Sequence, residues 1–474
     1  MTRVLLLSPL LLALAGCVSF SPDGGMDLVR TSALTKERAE TAKIGGEDAE
    51  ASASERARAL LRRPLTADAS VRVAFLRNKG LQASYNDLGI SEAKFVAASL
   101  PPNPAISLLD IRNDVSLDIE RRLAVDVLAL ATLPARQEIA EVAWQGAKLE
   151  AAAATLKLAA DVRRQYWRAV AARAETRYLT EARAATETIA DLTRKLGETG
   201  ALNKLDQSRE FAFYAELSAD LAKARTQEKV EKERLTRLLG LWGPDIDYAL
   251  PTSLPPLPSR PLPVASLETT ALAGRVDVAM ARGDLDRVAK EYGLTRASRY
   301  INALELAAAE NVTGAPVTNS AGHTTTEKER LDGVELRLEI PIFDWGEARS
   351  REAQETYMRA ANRLAEKGVN ARSEVREAYT AYRGALDVAR LYQGKVLPLR
   401  QLIQDNSLLH YNGMLADLFV LLQDGRARIL SNMAAIDAHR DFLLADTDLH
   451  AALNGAGMAG SDAKPTAMAT SPTN

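Results

Sequence analysis

The side chains most often used as soft transition-metal ligands are scarce in this 474-residue chain: one cysteine and four histidines. His439 and His450 stand three helical turns apart and so share one helix face. No cysteine or carboxylate triad accompanies them at ligand spacing, so they read as surface or interface histidines rather than a zinc site. His323 falls in a loop and His410 near a turn, and neither forms a pair. A single cysteine excludes a disulfide framework and any cysteine-rich metal centre. No Gly-x-Ser-x-Gly or Walker-type motif appears, so no catalytic residue, resident metal or cofactor is expected. The 60 basic and 62 acidic side chains nearly cancel, and the pI is near 6.2. That balance argues against a nucleic-acid partner. Enzymatic chemistry is not where these residues point.

The cysteine has a different use. Residues 1–16 begin Met-Thr-Arg, continue in an apolar run from Val4 to Leu14, and end Ala15-Gly16 before Cys17. A basic start, a short hydrophobic core and small residues at its end make a secretory signal. The run is too short for a retained spanning helix. Leu14-Ala15-Gly16-Cys17 resembles the bacterial lipobox, in which the cysteine is acylated and becomes the first mature residue. Val18 and Ser19 follow it, with no aspartate to retain the protein at the inner membrane, so the outer membrane is the expected destination. Several acyl chains give stable anchoring where one is marginal. Residues 17–63 read as a lipidated tether running into a short helix around Glu55–Arg62.

The elements that follow are long. No proline occurs between Pro134 and Pro244, and alanine, leucine, glutamate and arginine abound. Steps of four and three residues pick out Val142, Gly146, Leu149, Ala153, Leu156, Ala160, Arg163, Trp167, Val170 and Ala174. All but Arg163 are apolar or small, the seam of coiled-coil packing. Gly197 and Gly200 mark a turn into a second helix, about 202–239. A proline-rich linker spans 244–263, after which the pattern restarts. Residues 346–412 read as helix kinked at Pro398, Asn412-Gly413 as a turn, and 415–453 as a further helix. Ala135-Arg136 corresponds to Ala348-Arg349, and Gly200 to Gly413, both at an offset of 213 residues. An internal duplication is therefore expected, with repeats at 64–243 and 264–454 and a disordered tail at 455–474.

Before each long helix the period changes to two. From Val115 to Ala129, the odd positions Val115, Leu117, Ile119, Arg121, Leu123, Val125, Val127 and Ala129 alternate with Ser116, Asp118, Glu120, Arg122, Ala124 and Asp126. Val334, Leu336, Leu338, Ile340 and Ile342 repeat the pattern. Weaker strands, Ala105–Asn113 and Tyr300–Ala309, precede them, giving hairpins at about 105–130 and 300–342. The second hairpin is expected to carry a long polar loop, about Asn311–Lys328. One oily and one charged face fit a transmembrane strand with a polar lumen side. Four strands cannot close a barrel, and an open edge in lipid is forbidden, so strands of this kind demand oligomerisation.

On these residues the sequence resembles the outer-membrane efflux protein family, the TolC-like exit ducts, over roughly residues 60–455. The stretch Leu338-Glu-Ile-Pro-Ile-Phe-Asp-Trp-Gly-Glu-Ala-Arg349 resembles the family's strand-to-helix junction, through Pro341, Phe343, Asp344 and Gly346. Tyr411-Asn-Gly413 with Leu418 and Leu421 is similar to its tip turn. The first half departs at Thr132-Leu-Pro-Ala-Arg136, which lacks the Phe-Asp-x-Gly element.

The resemblance implies an α+β membrane protein: long coiled-coil hairpins forming an α-barrel, and strands completing a trimeric 12-stranded β-barrel. It implies a homotrimer in the outer membrane, contacting outer-membrane lipids, with its helical part in the periplasm. A periplasmic adaptor and an inner-membrane pump would be its partners, and conduction would be passive. Tip and gate candidates are Asn203, Lys204 and Asp206 after the first turn and Asp417 after the second, with Gly200 and Gly413 as turn glycines. A threefold carboxylate ring could narrow and select, but the same residues also suit solvated helix starts. A structural envelope lipoprotein with a coiled-coil scaffold role and no conduction is the alternative. The transported substrate is not legible.

Overall fold

The computed structural model describes residues 19–112, 116–200, 202–263, 267–318, 321, 324–340, 343–413, 415 and 418–457. Cys17, Pro341 and Asp417 lie outside the described residues, as do the signal and most of the tail. In chain order the elements are α1 Asp27–Ser32, α2 Glu47–Leu61, α3 Ala67–Arg77, α4 Lys79–Ser99, β1 Ala105–Arg112, β2 Leu117–Asp126, α5 Val127–Ala131, α6 Leu133–Glu198 and α7 Lys204–Leu239. There follow α8 Leu267–Gly274, α9 Val276–Ala297, β3 Ala303–Thr318, β4 Thr324–Glu339, α10 Glu347–Leu391, α11 Leu397–Asn412 and α12 Leu418–Asn454. The chain divides into two compact units.

The first unit holds Asp87–Lys148, Ala279–Glu366 and the described residues before Met26. Its centre is one antiparallel sheet in the order β1-β2-β3-β4. The register sets Ile106 and Leu108 of β1, Leu123 and Val125 of β2, Leu304 and Leu306 of β3, and Val334, Leu336 and Leu338 of β4 on one face. Ile106 is 74% exposed and Val334 79%, so this oily face is bare in the protomer. Arg121, Glu310 and Arg330 form an ion-paired chain on the same face, at 3.2 and 2.9 Å. On the opposite face Arg122 bridges Glu305 and Glu335 at 2.8 and 3.0 Å. The two faces therefore differ as the alternation requires.

Two expectations about the strands are corrected. The polar stretch 311–318 is strand, not loop, since β3 and β4 stay paired out to Thr318 and Thr324. Gly314 fits there because a Cβ would press on Leu117 and Thr326 at 3.0–3.1 Å. Pro316 sits beyond Gly314, the last partner of β2, where a missing N–H leaves no rung of that pairing unfilled. At the other end, β2 stops at Asp126 instead of running to Ala129. The Asp126 carboxylate accepts the N–H of Ala129 at 2.8 Å and caps α5.

That short helix is the first half's substitute for the glycine junction of the second. After β4, Trp345 and Gly346 both have positive φ, at 32° and 69°. A Cβ on Gly346 would lie 2.6 Å from the Arg299 carbonyl oxygen. Asp344 then starts α10, its carboxylate taking the Ala348 N–H, while Arg349 donates to Asn302 at 2.6 Å. In the same unit the segment expected as a loose tether is held. Ser21 donates its N–H and hydroxyl to the buried Glu92 carboxylate at 2.6 and 2.5 Å. Gly25, at φ 75°, lies against Trp144, which stacks on Phe95 at 5.2 Å.

The second unit holds Met26–Asn86, Leu149–Val278 and Lys367–Asn474. Met26, Val29 and Ala33 are fully buried, so this stretch too is packed rather than free. On α6, burial spreads beyond a single seam: Ala151, Ala152, Leu156, Ala159, Ala160, Val162, Ala169 and Val170 are all buried. Alanines on several faces let more than one neighbour approach closely. Near Pro398, where the sequence predicts a kink, a π turn, Tyr392–Val396, stands immediately before α11, and proline occupies the first turn of that helix. The proline-rich linker is a strap laid on α10. Leu262 donates to the Tyr382 hydroxyl and accepts from Tyr379, and Arg390 grips the Pro258 carbonyl at 2.7 Å. Leu254, Leu257 and Leu262 pack on a core of Tyr382, Leu386, Phe442 and Leu449. His439, expected at a surface or interface, is 7% exposed, with Gln393 of the π turn at 3.3 Å from its Nδ1.

The junction generates a paired test. Gly346→Ala should cost about 1–3 kcal/mol, because a side chain meets both a positive φ and a carbonyl oxygen. Gly333→Ala, where a Cβ meets nothing within 4 Å, should be neutral or slightly stabilising. Thermal melting of the two detergent-purified variants by circular dichroism separates them; equal melting temperatures would discard the close approach.

Candidate functional site

Of the tip candidates, Asn203, Lys204 and Asp206 lie where α6 turns into α7. Gly200 takes φ 76° and closes the first turn, its N–H bonded to Gly197 O at 3.1 Å. Only glycine enters this region without strain. Gly197 is needed for space: Gln207, donating to the Leu202 carbonyl at 2.9 Å, occupies the place of a Cβ. The second turn is built otherwise. Gly413 has φ −82°, and a Cβ there would make only ordinary contacts. The two turn glycines thus match in position but not in conformation.

Asn203 and Asp206 do a helix-start job in the protomer. Asn203 Oδ1 accepts the Asp206 N–H at 2.9 Å as the N-cap of α7, and its amide donates to the Asp206 carboxylate at 2.6 Å. Arg209 adds an ion pair to Asp206 at 3.2 Å. Lys204, the first residue of α7, is exposed. Asp417 lies outside the described residues.

The contacts that tie the two hairpins together were not singled out in the sequence. Glu210 on α7 is 2% exposed, and Arg426 on α12 reaches it at 3.5 Å. The same guanidinium donates to the Arg209 carbonyl at 2.9 Å and lies 4.3 Å over the Phe213 ring. Arg209 in turn lies 5.1 Å over the Phe419 ring. Two cation–π contacts in opposite senses thus cross between α7 and α12. They enclose a cavity of about 180 Å³ lined by Leu202, Asp206, Glu210, Phe419, Leu422 and Gln423, with both arginines. Burial raises the Glu210 carboxyl above its ordinary range, and the Arg426 charge only partly opposes this. Below the tips, Leu179, Leu217 and Leu221 pack with Phe213, Ile429 and Met433. The one signal in the sequence was an acid in an apolar row of α7.

Among the described residues no helix is long and apolar enough to cross a membrane, and no His, Cys, Asp or Glu group is placed to hold a metal ion.

Comparison with known proteins shows what the chain is similar to. Residues 267–455 match the family described as outer membrane efflux protein. The cobalt-zinc-cadmium resistance protein CzcC of Cupriavidus metallidurans is 23% identical over 310 residues, covering 64% of this chain and 70% of that one. A crystal structure of CusC, described with its transmembrane channel formation, superposes with TM-score 0.69 at 17% identity, covering 82% of this chain and 92% of that one. The outer-membrane channel OprN gives TM-score 0.66 at 16% identity, with 82% and 90% covered.

The latch has a pH sign. Glu210's raised pKa means that the folded tip holds the proton more tightly than the unfolded chain does. Stability is therefore highest at acidic pH and declines as pH rises through the elevated value. Hydrogen exchange at the first turns of α7 and α12 should quicken over that range, and Glu210→Gln should flatten the dependence. Arg426→Ala should speed the same exchange about 10- to 100-fold, on the order of 1–3 kcal/mol for a buried acid left without its donor. Unchanged exchange in Arg426→Ala would mean the pair does not hold the tips.

Proposed function

We propose, from the place of this chain among the TolC-like outer membrane efflux proteins, that it is the exit channel of a tripartite efflux or secretion system. It conducts passively, receiving cargo from an inner-membrane pump through a periplasmic adaptor. The observation that carries the reading is the four-stranded sheet on which Ile106, Leu108, Leu123, Val334, Leu336 and Leu338 lie bare on one face while Arg122, Glu305 and Glu335 pair on the other. Three copies supply twelve strands and close a barrel, which removes both open edges. The helical hairpins of the two repeats, 64–243 and 264–454, assemble the periplasmic tunnel. Cys17 carries the acyl anchor in the outer membrane.

Opening is a parting of the hairpin tips. Arg426, Glu210, Arg209 and Phe419 hold α7 against α12, so release of the second hairpin from the first must break these contacts. Asn203, Lys204 and Asp206, with Asp417 on the other turn, are the polar groups that would line the entrance. CzcC bears the name of a cobalt, zinc and cadmium resistance protein, which makes metal cations one cargo to test first here. A channel contacts its cargo briefly, so selectivity would rest mainly with the pump.

Reconstitution into planar bilayers tests the reading. The purified chain should carry ion current, and Arg426→Ala or Asp417→Ala should raise basal conductance several-fold. A structural scaffold lipoprotein would give no current in any variant. Labelling with radioactive palmitate should be lost in Cys17→Ser; retained label would place the anchor elsewhere.

A further inference from the structure

The repeat that relates the two hairpins also fixes how one copy of this chain pairs with the next. Leu123 of β2 faces Ile106 of β1, and its counterpart at the 213-residue offset, Leu336 of β4, faces Leu306 of β3. Ile106 and Leu306 are therefore equivalent, and so are Leu108 and Ala308. At the centre of the sheet Leu123 also pairs with Ala308, joining the two hairpins. Carrying that rung through the repeat sets Leu336 opposite Leu108 of another molecule. We infer that β4 of one copy and the β1 edge of a second copy pair antiparallel in this register, with Leu338 against Ile106, Arg337 against Ser107 and Asp332 against Arg112. The inference rests on the trimeric reading above and adds the alignment that closes it.

Charge argues against the nearest alternatives. A one-residue slip would turn the oily face of β4 inward. A slip of two residues in one direction sets Asp332 against Asp110 and Arg330 against Arg112, like against like. The opposite slip sets Asp110 against Leu336 and Arg112 against Val334, charges against oil. The repeat-derived register stacks leucine on leucine and isoleucine, and brings a carboxylate to a guanidinium. Asp110 then faces Val334, with its charge already held by Arg112 in a two-point pair at 2.8 and 2.7 Å. Arg112 and Asp332 are both exposed in the single protomer, as this pairing requires.

The geometry closes as well. Following rungs from Ile106 through Leu123, Ala308 and Val334 leads to Asp110 of the next copy, four residues further along β1. With strands about 4.8 Å apart and about 3.3 Å per residue, this stagger over four strands tilts them by about 35°. Closed barrels adopt tilts of about 35–45°.

Cysteine pairs in the full-length, exported chain test the register. Leu336→Cys with Leu108→Cys, and separately Arg337→Cys with Ser107→Cys, probe adjacent rungs. Adjacent rungs alternate between the wide and close spacings of an antiparallel pair, so one of them has the shorter Cα separation. Mild oxidation in outer membranes should yield covalent trimers from at least one pair and none from the single-cysteine variants. Covalent trimers appearing instead with Leu336→Cys plus Ile106→Cys, or Leu336→Cys plus Asp110→Cys, would overturn the register while leaving the trimer intact. Absence of links at every pair, in protein whose detergent-corrected mass is trimeric, would also overturn the register. The same absence in monomeric protein would overturn the channel reading with it.

Discussion

The rest of the structure turns on backbone hydrogen bonding at the two outer strands of a four-stranded sheet. β1 and β4 each have a partner on one side only, and Ile106 and Leu108 of the one share a bare apolar face with Val334, Leu336 and Leu338 of the other. In water such edges invite aggregation; in lipid they are excluded outright. A chain that carries this sheet must either cover its edges or share them. The long helices do not relieve the problem, since the sheet pairs only with itself among the described strands. The assembly proposed above would meet a requirement of the backbone before any question of function arises.

The helical part solves a different problem. Alanine on several faces of α6 permits close neighbours, and the proline strap and the Tyr382–Phe442 core bind α10 to α12. Charges inside this layer are satisfied locally. Arg275, 4% exposed, is held by Asp277 and Glu374 at 2.8 and 2.6 Å and donates to the last turn of α12 at Ala452. Such a pair is costly to break and contributes less by existing. Among the described residues, the contacts between α7 and α12 near the tips centre on two cations over two rings and one buried acid. That contrast leaves the hairpin ends as the weakly held part of the second unit.

Much of the fold was legible because long-period patterns survive local exceptions. The helices, both hairpin turns, the break near Pro398 and the existence of four strands follow from spacing, proline and glycine. The limits of β3 did not, because Asn311, Gly314 and Pro316 are loop formers by propensity, and only the neighbours Leu117 and Thr326 and a free edge make them strand. Asp126 looked like one more polar position of a strand; its capping bond to Ala129 ends the strand instead. Glu210 and Arg426 were invisible for a simpler reason: 216 residues separate them, and neither belongs to a motif. The tip residues that stood out in sequence, Asn203 and Asp206, proved to be occupied with each other.

The hold of Glu92 on Ser21 bears on the acylation proposed for Cys17. Ser21 stands four positions after Cys17, a step that spans at most about 14 Å when fully extended. Acyl chains on that cysteine would be moored on a short leash, their depth set by folded protein rather than by a slack rope. A bilayer thicker or thinner than the leash allows would have to bend to meet it.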